Sequence, residues 1–458
     1  MSEETKMYEK LLKRVNTLLI MAGCHFDEAD AKRTVIQRFS SRRYFCFNMV
    51  MLTIHLICDF TWLALEYKRA SLIELTYFIP CVTLSLLACT KSYLLVKNGE
   101  HVIDLIKSTK ILQAISGRFE LRTKTERESK KSVTILTAFM NFNLVLYILG
   151  YILFAIGPLI LTGVLYKSSG KLVMQIPFVA WYPFDETDIR YWPIAYFHQL
   201  WAGFFDASSV HGSDSFYSLS CVFLQIQFKT LQYDIEQIIP EETNINTPEL
   251  YKSFRKRFML IVMRHQELIR CVNVLEVIYS KSNLCIIAVS SIVICISAFN
   301  FTTSDDIIWR TIFLGFFIMW LLQVFSLCYY SNLISLSSTE VSNAIYNSYW
   351  YKANAEVMKD LLFVLRRYRL QRPGGHSPNG NALENANALD FILLFLTAEG
   401  FQILHAHYFM YDMVITNAKE KKARGICKPQ AARNNTIKSK ALAFSTAFPL
   451  GEWPPGSS

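Results

Sequence analysis

The amino-acid sequence predicts an all-α integral membrane protein with six clear transmembrane helices and a cytoplasmic amino terminus. Hydrophobic residues make up 52% of the 458 positions and charged residues only 18%, which is too apolar for an ordinary soluble domain of this size. Six apolar runs reach the length of about 20 residues that a helix needs to cross the bilayer. Lys and Arg are concentrated in alternate gaps between these runs, which is the pattern of a polytopic membrane protein.

The distribution of Lys and Arg predicts the orientation of the chain. Nine such residues precede the first run, nine lie between the second and third, eight between the fourth and fifth, and six follow the last run between Lys352 and Arg372. The gap after the first run holds two, and the gap before the sixth run holds none. Because cationic residues near span ends are retained in the cytoplasm, residues 1–43 are expected to be cytoplasmic. The net charge of +10 follows this alternation, so it does not indicate nucleic-acid binding.

Cysteine usage is typical of buried thiols. Eleven Cys residues are an odd number, most of them lie inside the apolar runs, and none falls in the predicted outer gaps. The spacing fits neither a disulfide framework nor a zinc site, and we expect no metal and no cofactor.

The first three spans are predicted at residues 44–65, 75–96 and 133–166. His55, Asp59 and Lys91 are the polar residues that interrupt the first two. The third contains no Asp, Glu, Lys or Arg and is longer than the bilayer is thick at about 1.5 Å per residue. It should therefore tilt or project outward.

The remaining spans are predicted at residues 193–228, 283–301 and 307–334, which completes a six-span domain at 44–334. Only five residues separate the fifth span from the sixth, so these two form a hairpin, and Ser304 is predicted to cap the sixth helix. Long cytoplasmic helices are expected at 229–282. There an apolar stripe should pack against the chain's own inner helices, against another subunit, or against both; it consists of Leu268, Cys271, Val272, Leu275 and Ile278.

Polar residues inside the fourth span are costly to bury and are often functional. Asp206, His211 and Asp214 could serve a proton relay or a metal site. However, no paired-ligand spacing such as HExxH occurs, and no second span rich in His and Asp faces them. We expect these residues to make hydrogen bonds between helices or to line a wet cavity, and we expect no enzyme activity.

Aromatic residues gather in the predicted outer halves of four spans. Ligand pockets are mostly apolar with a few polar groups, so this arrangement suits a small apolar or weakly polar molecule, although aromatic belts also form at membrane interfaces. The predicted ligand-binding residues are Tyr77, Phe78, Tyr147, Tyr151, Phe154, Tyr196, Phe197, Trp201, Phe313 and Phe316.

Several motifs give the chain a family resemblance. Residues 177–185 read PFVAWYPFD, Asp214 stands in the fourth span, His265 follows an Arg in the cytoplasmic part, and residues 340–373 run from Glu340 to Pro373 with several aromatic and Arg positions between them. With these features the sequence resembles the insect odorant receptors over roughly residues 1–373.

The resemblance implies a seven-helix olfactory receptor subunit in the plasma membrane of sensory neurons. Such a subunit binds a small volatile odorant and forms, with a coreceptor, a hetero-tetrameric, odorant-gated, non-selective cation channel in the lipid bilayer. The odorant lies among the outer halves of spans two, three, four and six. Residues 335–373 would be a cytoplasmic anchor segment, and the subunit interface would include His265, Tyr346, Trp350 and Tyr351.

The carboxyl end departs from the family. Residues 374–458 begin with a polar Gly- and Asn-rich stretch, and the possible apolar helix at 388–416 contains five ionisable residues. If this helix spanned the membrane, eight basic residues would follow on the outside, against the charge rule. The expected seventh (pore) helix is not recognisable. Either the tail is an altered or mis-spliced reading of the gene, which we favour, or the protein gates differently, and we expect this chain to conduct poorly.

Other functions remain alternatives. A G-protein-coupled receptor would need an external amino terminus, which would place the three most basic gaps on the wrong side of the membrane. A gustatory-type chemoreceptor is a nearer relative, but its terminal signature would fall in the divergent tail. A transporter or membrane enzyme should show internal repeats or a catalytic constellation, and neither occurs in the sequence.

Overall fold

The architecture was analysed in a computed structural model, which describes residues 3–26, 33–116, 123–170, 172–239, 248–352, 358 and 359. Within these ranges the chain is all-helical. The helices are α1 (Glu3–Met21), α2 (Val35–Ser41), α3 (Arg43–Glu66), α4 (Leu72–Lys97), α5 (Gly99–Ser116), α6 (Thr123–Ser169), α7 (Trp192–Glu236), α8 (Pro248–Thr303) and α9 (Ile307–Asn347), followed by a 3₁₀ turn at Trp350–Lys352.

Five of these helices are long and apolar enough to cross a membrane, namely α3, α4, α6, α8 and α9. The most apolar stretch of α6 has a mean hydropathy of 2.5 and only 6% of it is buried, so the rest of the chain leaves most of this apolar surface uncovered. The polar residues of α7 keep it out of this group. Helix α7 is nevertheless long enough to span, and most of its side chains are buried among α1, α3, α4, α6, α8 and α9. A helix surrounded by protein does not need an apolar surface.

The long cytoplasmic helices expected from the sequence are continuous with the spans. Helix α7 runs without a break from the predicted fourth span to Glu236, and α8 joins the stretch before residue 283 to the predicted fifth span. At 56 residues α8 is about 84 Å long, far more than the hydrocarbon layer of about 30 Å, so its first half projects beyond that layer.

The apolar stripe on α8 packs inside the chain. Leu268, Cys271, Leu275 and Ile278 are buried, and Val272 packs against the same hydrophobic core. The neighbours of α8 in this region include α5 and α7. Packing against the chain's own helices, the first of the two expectations for this stripe, is therefore present.

The turn between α8 and α9 is capped differently from the expectation. Asp306 is the N-cap of α9, and its Oδ1 accepts a hydrogen bond of 2.9 Å from the backbone N–H of Ile308. Ser304 was expected in this role, but its hydroxyl donates to the carbonyl oxygen of Asp306 instead. Asp306 lies two residues closer to the first turn than Ser304 does. Its carboxylate accepts from a free N–H group of that turn and also interacts favourably with the helix dipole.

The amino-terminal segment contains a helix that the apolar pattern did not indicate. Helix α1 lies along α7, where the rings of Tyr8 and Phe223 are 4.9 Å apart. A Cβ atom at Gly212 would approach the backbone of Leu18 to 3.4 Å, so a glycine permits this close contact. The chain then turns at Gly23, where φ is +78° and a Cβ atom would come within 2.9 Å of the Cα of Phe45, so this position excludes a side chain.

Ten cysteines lie in the described ranges, and none of them forms a disulfide there. The tail at 374–458 and most of the segment after Lys352 lie outside the described residues. The possible apolar helix at 388–416 and the expected lack of a seventh (pore) helix fall in this part of the chain.

Candidate functional site

An aromatic cluster joins four parts of the chain at the end of the bundle that carries the α3–α4 and α8–α9 turns. The ring of Tyr77 lies 6.0 Å from Phe178, 5.4 Å from Trp309 and 5.9 Å from Phe316. Phe78 stacks on Phe178 at 5.7 Å. We call the following set the aromatic cluster: Tyr77, Phe78, Phe154, Phe178, Trp309, Phe313 and Phe316.

The loop before α7 is drawn into this cluster by one glutamine. The amide of Gln199 accepts a hydrogen bond of 2.9 Å from the N–H of Phe178 and donates one of 2.8 Å to its carbonyl oxygen. Gln199 is fully buried, and Phe178 is only 3% exposed. Two bonds from a single side chain fix the ring of Phe178 against α4 without any regular secondary structure in the loop.

Helices α6 and α7 are joined by tyrosine hydroxyls. Tyr151 donates to the carbonyl oxygen of Leu200 at 3.1 Å, and Tyr196 donates to that of Ala155. The ring of Phe154 lies so close to Gly203 that a Cβ there would be 3.1 Å away. The hydroxyls of Tyr151 and Tyr196 are therefore engaged in helix pairing.

Two of the predicted ligand-binding residues lie on the outside of the bundle. Phe197 is 68% exposed and Trp201 is 38% exposed. The indole N–H of Trp201 donates to the side-chain oxygen of Asn48 at 3.1 Å, and its ring contacts Tyr44 and Phe47 edge-on. The structure thus brings Tyr77, Phe78, Phe154, Phe313 and Phe316 together and keeps Phe197 and Trp201 apart from them.

A polar cavity lies between α6, α7 and α9. The space that the centre of a water molecule could occupy is about 30 Å³, within about 450 Å³ of unfilled volume that is partly open. Since one water needs roughly 10–15 Å³ of such space, the cavity has room for about two waters. The lining residues are Phe139, Met140, Asn143, Tyr147, His211, Asp214, Ser215, Ser218, Met319, Leu322, Gln323 and Ser326. Of the ten predicted ligand-binding residues, Tyr147 is the one that lines it.

An ion pair beside the cavity connects α4, α7 and α9. The ammonium group of Lys91, which is 2% exposed, donates to Oδ1 of Asp214. Oδ2 of Asp214 accepts a hydrogen bond of 3.0 Å from the amide of Gln323. Both carboxylate oxygens are therefore paired, and the carboxylate of Asp214, whose side chain is 25% exposed, offsets the charge of the buried ammonium group. The expectation that Asp214 and His211 make contacts between helices or line a wet cavity is met here.

The polar cavity lies farther along the helices from the α3–α4 and α8–α9 turns than the aromatic cluster does. Gln323 is 16 residues past the first residue of α9 and Lys91 is 19 residues past that of α4, which corresponds to about 24 and 28 Å of helix. The hydrocarbon layer is about 30 Å thick. Gln323 is seven residues past Phe316 of the aromatic cluster, about 10 Å of helix, so the polar cavity follows the cluster directly along α9.

A second group of polar residues lies between α3, α4 and α7. The imidazole Nε2 of His55 is 3.6 Å from a carboxylate oxygen of Asp59, and Asp206 accepts a hydrogen bond of 2.5 Å from Ser85. Nδ1 of His198 and the hydroxyl of Tyr182 form a hydrogen bond of 3.0 Å, whose direction depends on the histidine tautomer. Within the described ranges no three His, Cys, Asp or Glu side chains are arranged to hold a metal ion.

The predicted anchor residues lie at the ends of α8 and α9 that are far from the turn between these helices. Burial lowers the pKa of His265 to about 4, so this side chain is neutral at physiological pH. It is 38 residues from the end of α8, about 57 Å along the helix, which is outside a layer of about 30 Å. Tyr346 and Tyr351 are 68% and 60% exposed, whereas Trp350 packs against the core.

Sequence reasoning missed Asn143, Met319 and Gln323 in the polar cavity. Gln323 is a strongly polar residue within the otherwise apolar sixth span, and Lys91 was recognised only as an interruption of the second. Both are polar residues in apolar helices, which is the signal that could have paired them with Asp214.

Comparisons with known proteins agree on one family. The family profile described as 7tm odorant receptor matches residues 75–373. Odorant receptor 22c of Drosophila melanogaster is 26% identical over 158 residues, which is 34% of this chain and 39% of the relative, so the chain matches less than half of that protein. Odorant receptor 85c of the same species is 23% identical over 331 residues, 71% of this chain and 82% of the relative.

Solved structures show the same fold. The insect olfactory receptor OR5 from Machilis hrabei superposes with a TM-score of 0.68 at 16% identity, covering 88% of this chain and 99% of OR5. The structure of OR5 in complex with eugenol gives a TM-score of 0.65, also at 16% identity, with 87% and 99% of the two chains covered. At this level of identity the likeness establishes the fold alone.

Proposed function

The chain belongs to the insect odorant receptor family, and we propose that it is the odorant-binding subunit of a non-selective cation channel formed with a coreceptor. It is a transmembrane protein of olfaction and not an enzyme. The observation that carries the proposal is the family match over residues 75–373. It is supported by a fold that matches OR5, a receptor whose complex with eugenol is also known.

The odorant site is proposed to comprise the aromatic cluster and the polar cavity. Both involve α9, and they draw on α4, α6 and α7, the helices that correspond to the predicted spans two, three and four. Tyr77, Phe78, Phe154 and Phe316 supply apolar contact area, and Tyr147 with Asn143 and His211 supplies polar groups that could orient a ligand. Phe313 adds to the apolar contact area of the cluster, and Tyr151 and Tyr196 would act by holding α6 and α7 together. Phe197 and Trp201 lie on the outside of the bundle and are not part of the proposed site.

The orientation is proposed from the basic gaps. With the amino terminus in the cytoplasm, the aromatic cluster lies in the outer half of the membrane and the polar cavity lies next to it on its cytoplasmic side. A volatile molecule would then reach the aromatic cluster first. The same orientation puts the first half of α8 and the end of α9 in the cytoplasm.

The subunit interface is proposed at the cytoplasmic end of α9 and the 3₁₀ turn that follows. Tyr346 and Tyr351 expose large aromatic surfaces there, which is the composition of interface contact residues. Trp350 supports them from the core, and the neutral His265 would add a hydrogen-bonding group on α8. Four such subunits, with at least one coreceptor, would surround the pore.

The divergent tail leads us to propose that this chain conducts poorly. The decisive experiment is whole-cell recording of the chain with the coreceptor during exposure to a panel of volatiles. A matched chimera carries the chain up to Pro373 and the carboxyl-terminal region of odorant receptor 85c thereafter. The chimera should give odorant-evoked cation currents, and the unaltered chain should give only a small fraction of them.

Two outcomes of this experiment would contradict the proposal in different ways. If the chimera reaches the cell surface and no volatile evokes a current, the channel function is wrong. If the unaltered chain gives currents of the same size as the chimera, the function stands and the impairment is wrong.

A further inference from the structure

We propose that the polar cavity binds the hydroxyl end of an uncharged alcohol or phenol, which makes hydroxyl-bearing volatiles the ligand class of this receptor. This inference rests on the proposed function, because it assigns the chemistry of the odorant. It concerns the cavity between α6, α7 and α9 and not the aromatic cluster.

The cavity contains a hydrogen-bonding atom that the protein does not satisfy. Nε2 of His211 has no hydrogen-bond partner among the described residues, and His211 is only 5% exposed. A buried polar atom of this kind is normally paired with protein, water or ligand. Asn143, Ser215 and Ser218 lie around the same cavity and can share such a ligand.

The charges at the cavity exclude ionic ligands. Lys91 is paired with Asp214, and the second oxygen of Asp214 is occupied by Gln323. An ammonium group placed here would face the cations Lys91 and Arg14, and Asp214 is already paired. A carboxylate would face Asp214 and would have only Arg14, which is itself hydrogen-bonded to Asn141, as a further counter-charge, so both ions are unfavourable. The cavity therefore favours an uncharged polar group.

Among uncharged groups a hydroxyl fits His211 best. A neutral imidazole carries its proton on one nitrogen, so Nε2 is either a donor or an acceptor. A hydroxyl can donate and accept, and it satisfies Nε2 in both tautomers. An ether or ester oxygen can only accept, so it satisfies Nε2 only when that atom carries the proton.

The apolar part of the ligand would contact the apolar side chains of the cavity, two of which are flexible methionines. Phe139, Met140, Tyr147, Met319 and Leu322 line the rest of the cavity. The present space holds about two waters, so a volatile of several carbons must displace side chains. Methionine side chains are unbranched and adapt readily to a new neighbour, so Met140 and Met319 can give way without movement of the helices.

Photolabelling of the purified full-length chain in lipid nanodiscs tests this inference without requiring a current. The probe is an octanol that carries a diazirine group, and the labelled residues are identified by mass spectrometry. Competitors of matched chain length are 1-octanol, methyl octyl ether, octylamine and octanoate, and cholesterol serves as the membrane source of a hydroxyl. The variants are His211→Phe and Asn143→Leu, with the exposed Phe197→Ala as the matched control.

The expected result is labelling within residues 139–147 and 319–326 that 1-octanol displaces better than the ether, the amine or the carboxylate. His211→Phe should weaken displacement by 1-octanol about fivefold, as for the loss of one buried hydrogen bond. Asn143→Leu should act in the same direction, which covers the case that the histidine variant does not fold. Phe197→Ala should leave displacement unchanged.

Five results would overturn the inference. Equal displacement by the ether and the alcohol, no effect of either cavity variant, or displaceable labelling confined to the aromatic cluster would each refute the hydroxyl site while leaving odorant binding intact. Displacement by cholesterol in preference to 1-octanol would assign the cavity to membrane sterol. If no position shows displaceable labelling, both the inference and the proposed odorant binding are wrong.

Discussion

The side chain of Gln199 pairs with both backbone polar groups of Phe178, accepting at 2.9 Å and donating at 2.8 Å. Through this pair, α7 holds the loop that precedes it against α3 and α4. The ring of Phe178 then completes the aromatic cluster by contacting Tyr77 and Phe78.

Gln199→Leu should therefore destabilise the protein. The substitution keeps a similar volume but leaves the N–H and the carbonyl oxygen of Phe178 unpaired in a buried site, which costs about 1–3 kcal/mol for each group. We expect the free energy of unfolding in detergent to fall by at least about 2 kcal/mol. The exposed Gln237→Leu is the control and should have little effect. Equal stability of the two variants would show that the loop is not held by Gln199.

The ion pair of Lys91 and Asp214 gives a second prediction. Removing one partner in Lys91→Met or Asp214→Asn leaves a buried charge or an unmatched polar group, and each change should cost about 3–5 kcal/mol. The double variant should be less destabilised than the sum of the two single variants. The measurement is a double-mutant cycle on the free energy of unfolding.

The control for this cycle is a pair of the same type at the surface. Lys229 and Glu128 are 3.5 Å apart with side chains 31% and 51% exposed. Removing either should change stability by about 0–1 kcal/mol. Additive single and double variants at Lys91 and Asp214 would refute the coupling.

The sequence predicted the long helices correctly because apolar runs and basic gaps are local properties. Residues 44–65, 75–96 and 307–334, for example, each lie within one helix. The helix at residues 3–21 was missed because attention went to runs long enough to cross the bilayer, although Leu11, Val15 and Leu19 recur at the four-residue spacing of an amphipathic helix. Helix α7 was read as an interrupted span because hydropathy does not reveal that a helix is enclosed by other helices.

The site could be predicted only in part. Aromatic residues at the ends of the second and sixth spans do meet, because Tyr77 and Phe316 lie at matching depths in neighbouring helices. The role of Phe178 was not foreseen, since a loop residue has no periodicity that shows which way it faces. The cavity depends on how α6, α7 and α9 pack, and no pattern within one helix specifies the gap between three.

The tyrosines of α6 give a third prediction. Tyr147→Ala should change the order in which odorants activate the receptor, because Tyr147 lines the polar cavity and packs 4.9 Å from the ring of His211. Tyr151→Ala should also change tuning, by releasing the hydrogen bond to Leu200. Surface delivery should persist in both variants. The test is a current-response profile in the chimera with its replaced tail, with Phe197→Ala as control; unchanged tuning in both tyrosine variants would contradict the proposed site.

The buried His265 gives a prediction about pH. Its folded-state pKa of about 4 lies below the unfolded value of about 6.5, so the unfolded chain binds more protons between these values. The stability contribution is complete above about pH 6.5 and is lost as the pH falls toward 4, by on the order of 3 kcal/mol. His265→Gln should flatten this part of the stability profile. The control is His101→Gln on α5, where the side chain is 39% exposed, and an unchanged profile in His265→Gln would contradict the assignment.

The orientation of the chain is the claim on which the proposed site and interface both depend, and antibody access to epitope tags on intact cells tests it most directly. One tag is placed at Met1 and a second, in a separate chain, after Gly170 at the end of α6. We predict that the tag after Gly170 is detected without permeabilisation and that the tag at Met1 is detected only after it. Detection of the Met1 tag on intact cells, with the Gly170 tag hidden, would contradict the channel assignment and favour a G-protein-coupled receptor.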